Sequence, residues 1–127
     1  MPTNVKIIHA RDFIRATPGG VLDLQASERL LLDVAQVSGR LPEVDLLLDT
    51  RNTMTVLSTA DLWALAQKVA GTGAKSLRRT AVLCPAERFD YAQFFSLCGE
   101  RHGLEIRAFL DYEHAMEWLV AADRERP

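Results

Sequence analysis

Short apolar runs and helical stripes alternate along this chain, and that alternation restricts the fold more than any other feature of the sequence. Its clearest element is Val44 to Asp49, where Leu46, Leu47 and Leu48 stand side by side. A strand that exposes one face to water alternates apolar and polar residues, so a continuous apolar run marks a strand covered on both faces, as in parallel sheets. Thr80 to Cys84 repeats the pattern and is stopped by Pro85. Leu104 to Leu110 is a third strand, in which Leu104, Ile106 and Ala108 alternate with Glu105 and Arg107.

Each of these strands is followed by a helical stripe. Leu62, Leu65, Ala66 and Val69 stand at i, i+3, i+4 and i+7 behind Ser58-Thr-Ala-Asp61, which has the form of a capping box. Gly71 and Gly73 end that helix. Tyr91, Phe94, Phe95 and Cys98 mark the next helix, which runs to Gly103. Asp111 caps the last one, whose apolar face is Tyr112, Ala115, Met116 and Leu119.

The amino-terminal part is less regular. Val5 to His9 reads as a strand, Asp12 to Arg15 continues or pairs with it, and Thr17-Pro-Gly-Gly20 marks a tight turn. Val21 to Leu24 restarts as a strand. From Gln25 or Ala26 the period changes, and Leu30, Leu31, Val34, Ala35 and Val37 form a helical stripe ending at Gly39, with Pro42 beyond. Strand and helix alternation of this kind predicts an α/β fold with a mixed, mostly parallel central sheet of five to six strands and four helices. Residues 1 to 122 make one domain and 123 to 127 a solvated tail.

Composition narrows the function. The 127 residues carry a formal net charge of −2, without the basic excess that marks a nucleic-acid module or a membrane-surface protein. No run approaches the ~20 apolar residues of a membrane helix, and the two-residue apolar run before Arg11 and Asp12 leads one to expect no secretory leader. Two cysteines are too few for a disulfide framework, so a cytoplasmic location is expected. His9, His102 and His114 have no metal-ligand spacing, and no metal or cofactor is expected.

Open parallel sheets collect ligands outside the carboxyl ends of their strands. Here that edge comprises Asp49 to Thr59, Cys84 to Arg88, and Leu110 to Asp111, with Asp49, Arg51, Asn52, Ser58, Thr59 and Arg88 as the candidate surface for a partner or ligand. Asp49 at a strand end fits a phosphoacceptor receiver in one respect, but Asp12 stands alone where an acidic pair is required and the last strand has no lysine. Gly71-Thr-Gly-Ala-Lys-Ser76 lacks the Gly-Lys-Ser/Thr of a phosphate loop and follows a helix, so it reads as a helix cap. Cys84 could serve as a nucleophile if a helix amino terminus lowered its pKa, but an inert core thiol is favoured. Lys75-Ser-Leu-Arg-Arg79 reads as a solvated basic group. Trp63 and Trp118 read as core, and exposure of either would mark a partner surface.

Leu46-Leu-Leu-Asp-Thr-Arg-Asn52 leading through Ser58-Thr59 into Asp61-Leu62, together with the opening strands and the closing Ala108-to-Leu119 segment, resembles a STAS-type domain of the anti-sigma-factor-antagonist-like kind. The resemblance implies a small, mostly non-enzymatic domain that binds partner proteins, nucleotides or lipid-like ligands, and the leading expectation is a regulatory module that binds another protein. It also implies a switch hydroxyl at the amino end of the second helix, which places Ser58 or Thr59 as phosphoacceptor. The family's Asp-Ser-Ser-Gly departs here to Leu57-Ser-Thr-Ala60. A plain N-cap role explains Ser58 with fewer assumptions. The alternative function is a carrier or sensor of a small apolar or lipid-like ligand, held in a cavity lined by Phe89, Tyr91, Phe94 and Phe95. Self-association into a homodimer through a sheet edge or the tryptophans is a further expectation.

Overall fold

A computed structural model describes residues 5–10, 13–39, 44–71 and 77–124, with side chains from 13–39, 44–71 and 78–121. The chain begins with β1 (Val5–Ala10), β2 (Phe13–Pro18), β3 (Gly20–Leu22) and α1 (Leu24–Ser38), and then runs β4 (Val44–Asp49), β5 (Thr53–Thr55) and α2 (Thr59–Gly71). β6 (Leu77–Leu83), a single 3-10 turn at Ala86–Arg88, α3 (Phe89–Arg101), β7 (Ile106–Phe109) and α4 (Tyr112–Arg124) complete it. The central sheet has the order β1-β2-β4-β6-β7. β1 pairs antiparallel with β2, and β2, β4, β6 and β7 are mutually parallel.

The leucine run of β4 sits at the centre of this sheet and is buried on both faces. Because side chains alternate along a strand, Leu46 joins Leu30 and Val34 of α1, while Leu47 joins Ala115 and Leu119 of α4. Leu48, on the same face as Leu46, reaches the cluster in which Val82 and Cys84 meet Ala92 of α3. α1 and α3 therefore cover one face and α4 the other, with α2 packed on α1 and α3. Each leucine removed from water in this way stabilises the fold by about 2 kcal/mol.

Several boundaries differ from the sequence reading, each for a local reason. Thr17 and Pro18 do not form a tight turn but stay in β2, opposite Lys6 and Val5. Gly20, at φ +80°, redirects the chain in a conformation costly for any residue with a Cβ. α1 starts at Leu24 because the carboxylate of Asp23 accepts from the Ala26 N–H at 2.8 Å and caps the helix earlier than the apolar period shows. The segment after Asp49, read as a polar loop, contains β5, which pairs with β3 in a separate two-stranded parallel sheet, Val21 opposite Met54. α4 ends at Arg124. Residues 125–127, Asp12, Pro42, Gly73 and most of the 71–76 cap lie outside the described residues.

The basic group before β6 also differs. Arg78 is not solvated: its guanidinium meets the buried Asp45 carboxylate at 3.3 Å. Arg79 pairs with Glu105 at 3.0 Å, donates to the Trp118 carbonyl at 2.8 Å and lies over the Trp118 ring. Both arginines tie the start of β6 to its neighbours. Lys75 and Ser76 lie outside the described residues.

Candidate functional site

Asp49 ends β4 and its side chain is nearly out of contact with water, at 3% exposure. The carboxylate accepts from the Arg51 backbone N–H at 3.1 Å and from Arg51 Nε and Nη2 at 2.9 and 2.8 Å. Arg15 of β2 brings a second guanidinium to 3.7 Å, and it also lies over the Tyr112 ring. Burial pushes the Asp49 carboxyl up, but the Arg51 hydrogen bonds and the two positive charges outweigh it and hold the pKa below the ordinary value. Asp49, expected on the partner surface, is buried and anchors the exposed Arg51.

Thr50 and Thr53 build the turn that follows. Thr50 donates through both its N–H and its hydroxyl to the Leu83 carbonyl, at 2.9 and 2.7 Å, which joins the turn to the end of β6. The Thr53 hydroxyl donates to the Thr50 carbonyl at 2.8 Å. Arg88, another of the six expected surface residues, is turned inward: its Nη atoms donate to the Thr53 and Thr50 carbonyls at 2.9 and 2.7 Å. Arg88 is a brace between the 3-10 turn and the loop, with no carboxylate partner among the described residues.

The capping box forms as the sequence predicts. Ser58 Oγ accepts from the Asp61 N–H at 3.1 Å, and the Asp61 carboxylate accepts from the Ser58 N–H at 3.0 Å. Ser58, Thr59 and Ala60 are exposed. The Tyr91 hydroxyl of α3 donates to the Leu57 carbonyl, just before the cap. Arg51, Asn52, Ser58 and Thr59 therefore share an accessible edge resting on a hydrogen-bonded base.

Sequence reasoning missed the apolar part of this edge. Val21, Met54 and Val56 are 48%, 66% and 58% exposed, and Val21 and Met54 are paired neighbours in the small sheet. The alternation Thr53-Met-Thr-Val56 was the available signal, hidden by its shortness. Trp63, expected in the core, is 45% exposed and meets His102 edge to face. With Phe94 and Leu97 it forms a second apolar patch between α2 and α3. Trp118 is half-buried under the Arg79 and Arg107 guanidiniums.

The remaining candidates separate. Cys84 is buried and its thiol lies 3.7 Å from the Phe109 carbonyl; burial pushes its pKa up, opposite to what a nucleophile requires. His102 Nδ1 is 2.8 Å from the Cys98 carbonyl, and His114 pairs with Asp111 on the surface. Of the four aromatic residues expected to line a cavity, Tyr91 and Phe95 line one beneath the site, whereas Phe89 packs on the Val82 cluster and Phe94 is 37% exposed.

No family model and no curated protein matches the chain. Solved structures do match. An uncharacterised protein of the DUF3478 family with a SpoIIAA-like fold, from Shewanella loihica PV-4, superposes with a TM-score of 0.60 at 20% identity, over 92% of this chain and 93% of that one. The anti-sigma factor antagonist SpoIIAA in its unphosphorylated form gives 0.55 at 13% identity, over 98% and 99%. The Bacillus cell fate determinant SpoIIAA in its phosphorylated form gives 0.53 at 13% identity, over 91% and 99%. The chain has a SpoIIAA-like fold, the fold that its sequence pattern implied. No helix among the described residues is long and apolar enough to cross a membrane.

Proposed function

We propose that this chain is a non-enzymatic STAS-type regulatory module that binds another protein through the edge formed by Arg51, Asn52, Met54, Val56, Ser58 and Thr59. The observation that carries it is the juxtaposition of an exposed apolar strip, Met54 and Val56 beside Val21, with the exposed cap at Ser58. Apolar side chains clustered in a polar rim are the usual anatomy of a protein interface. The similarity to SpoIIAA, an anti-sigma factor antagonist, supports the same class of role.

Phosphorylation at Ser58 or Thr59 is the regulatory part of the proposal. A phosphate there would meet the free amides and positive end of α2. At Ser58 it would also displace the Asp61 N–H from the cap and stand beside the Asp61 carboxylate. Thr59, exposed and outside that bond pair, avoids this conflict. A cytoplasmic location belongs to the same proposal and is supported by two unpaired, buried thiols.

Site-specific photo-crosslinking in native lysate tests the interface. A benzophenone side chain at Met54 or Val56 should yield one discrete protein adduct, weakened when Asn52→Arg is added. The same probe at Leu32, 56% exposed on α1, is the control. Equal labelling from Leu32, or no adduct from either edge position, would count against the proposal.

A further inference from the structure

Two guanidiniums meet one carboxylate at the end of the central strand. Arg51 Nη2 and Arg15 Nη2 stand 2.8 and 3.7 Å from the same Asp49 oxygen, Oδ2. Neither arginine pairs with another carboxylate among the described residues, so the group carries one uncompensated positive charge. It does so in a chain whose formal net charge is −2.

The donors of the two arginines are unequally used. The backbone N–H, Nε and Nη2 of Arg51 occupy both Asp49 oxygens and leave its Nη1 without an acceptor among the described residues. Arg15 Nη2 is too far from Oδ2 for a hydrogen bond, and no other N–H of that side chain finds an acceptor among the described residues. Its Nε is shut off from water, so the Nη end is the part that Arg15 can offer. β2 holds the Arg15 backbone opposite Leu47, and the guanidinium carbon lies 5.5 Å from the centre of the Tyr112 ring. Arg88, by contrast, spends its Nη groups on the Thr50 and Thr53 carbonyls. The side chains of Arg15 and Arg51 are 37% and 40% exposed, and both can be reached from solvent.

We infer that Arg15 and Arg51 together bind a carboxylate side chain, aspartate or glutamate, of the protein that docks on the Arg51-to-Thr59 edge. This rests on the protein-binding reading and names the chemistry of the partner. Charge selects the ligand, because one negative charge balances the group, whereas a phosphate dianion would place excess negative charge beside the buried Asp49. Position selects its source. Arg51 belongs to the proposed interface as well, so a carboxylate on a docked partner arrives already placed, whereas a free anion at two exposed arginines keeps its water and is held weakly.

Side-chain NMR of the full chain, titrated with a tetraglutamate peptide blocked at both ends, tests the inference. The Nε–Hε protons of the two arginines are sheltered from exchange, one by burial and the other by Asp49, and give signals to follow. Both should shift saturably with one dissociation constant, while Arg79 Nε–Hε, bonded to Glu105, stays still. Arg15→Gln should weaken binding about three- to fivefold, the loss of one exposed ion pair, and the same change at Arg29, exposed on α1, should not. If Arg15→Gln does not fold, the wild-type signals decide. Absence of saturable shifts, an equal loss in Arg29→Gln, or tighter binding of inorganic phosphate at the same signals would overturn the inference. The Met54 crosslink reports the protein-binding reading separately, and its adduct should weaken with Arg15→Gln. A discrete adduct that Arg15→Gln leaves undiminished would keep that reading and overturn this one.

Discussion

Arg51 holds both oxygens of the Asp49 carboxylate, through Nε at 2.9 Å and Nη2 at 2.8 Å, while the carboxylate is buried and the guanidinium reaches the surface. The pair turns the end of the central strand into a fixed mount for the loop that follows. Charge-assisted bidentate bonds of this type are among the stronger polar contacts in a protein. Asp49→Asn should cost about 2 kcal/mol in urea unfolding at pH 7, since it removes one charged acceptor and leaves two guanidiniums without it.

The same pair sets an acid limb. Because the folded-state pKa of Asp49 lies below its unfolded value, its contribution is fully present above the unfolded value near ~4. That contribution is lost as pH falls through the folded value. Unfolding free energy measured from pH 7 to pH 2 should therefore drop more steeply in the wild type than in Asp49→Asn, with the two curves converging at the acid end. Parallel curves would show that Asp49 is not the group responsible.

Ser58 and Asp61 satisfy each other's backbone N–H groups at the start of α2, so their substitutions should not add. Ser58→Ala and Asp61→Ala should each cost about 1 kcal/mol, and the double variant less than their sum. Thermal unfolding of the four proteins in one cycle measures this. Full additivity would mean that the box does not act as a unit.

Gly99 of α3 lies against Ile106 of β7. A Cβ at position 99 would stand 2.5 Å from Ile106 Cδ1 and 3.0 Å from Cγ1, too close without movement. The overlap costs about 1–3 kcal/mol, and alanine's better helix propensity recovers ~1 of it. Gly99→Ala should therefore be destabilised by about 1 kcal/mol overall. Adding Ile106→Val, which removes the Cδ1 atom, should recover most of the loss in chemical denaturation; no recovery would place the strain elsewhere.

Arg79 is expected to act in packing and not in nucleic-acid binding. Arg79→Ala removes the Glu105 pair, the bond to the Trp118 carbonyl and the guanidinium over the indole. It should lower stability by about 1–2 kcal/mol and, by uncovering the indole to water, red-shift Trp118 emission. Electrophoretic mobility of a DNA probe should be unaffected by either protein. DNA binding by the wild type that the variant loses would reverse this assignment.

Much of the architecture was legible because the relevant signals are local and periodic. Leu46 to Leu48 reads as a strand covered on both faces and is one, and Ser58 to Asp61 is a cap in sequence and in space. β5 was missed because three residues carry too short a period, and its pairing with β3 joins residues thirty or more apart. The fates of Asp49 and Arg88 were hidden for a related reason. A charge near a strand end reads as surface until the neighbours that neutralise or solvate it are known, and here those are Arg15 from one side and the Thr50 and Thr53 carbonyls from another. Trp63 shows the converse, since a helical stripe does not say where the stripe's edge meets water.

Binding through the Arg51-to-Thr59 edge is tested most directly by mapping amide chemical shifts of the isotopically labelled chain with the protein captured at Met54. Shifts concentrated on Arg51, Asn52, Met54, Val56, Ser58 and Thr59, weakened by Asn52→Arg, are the expected result. Shifts confined to α4, or to the Trp63, Phe94 and Leu97 patch, would contradict it.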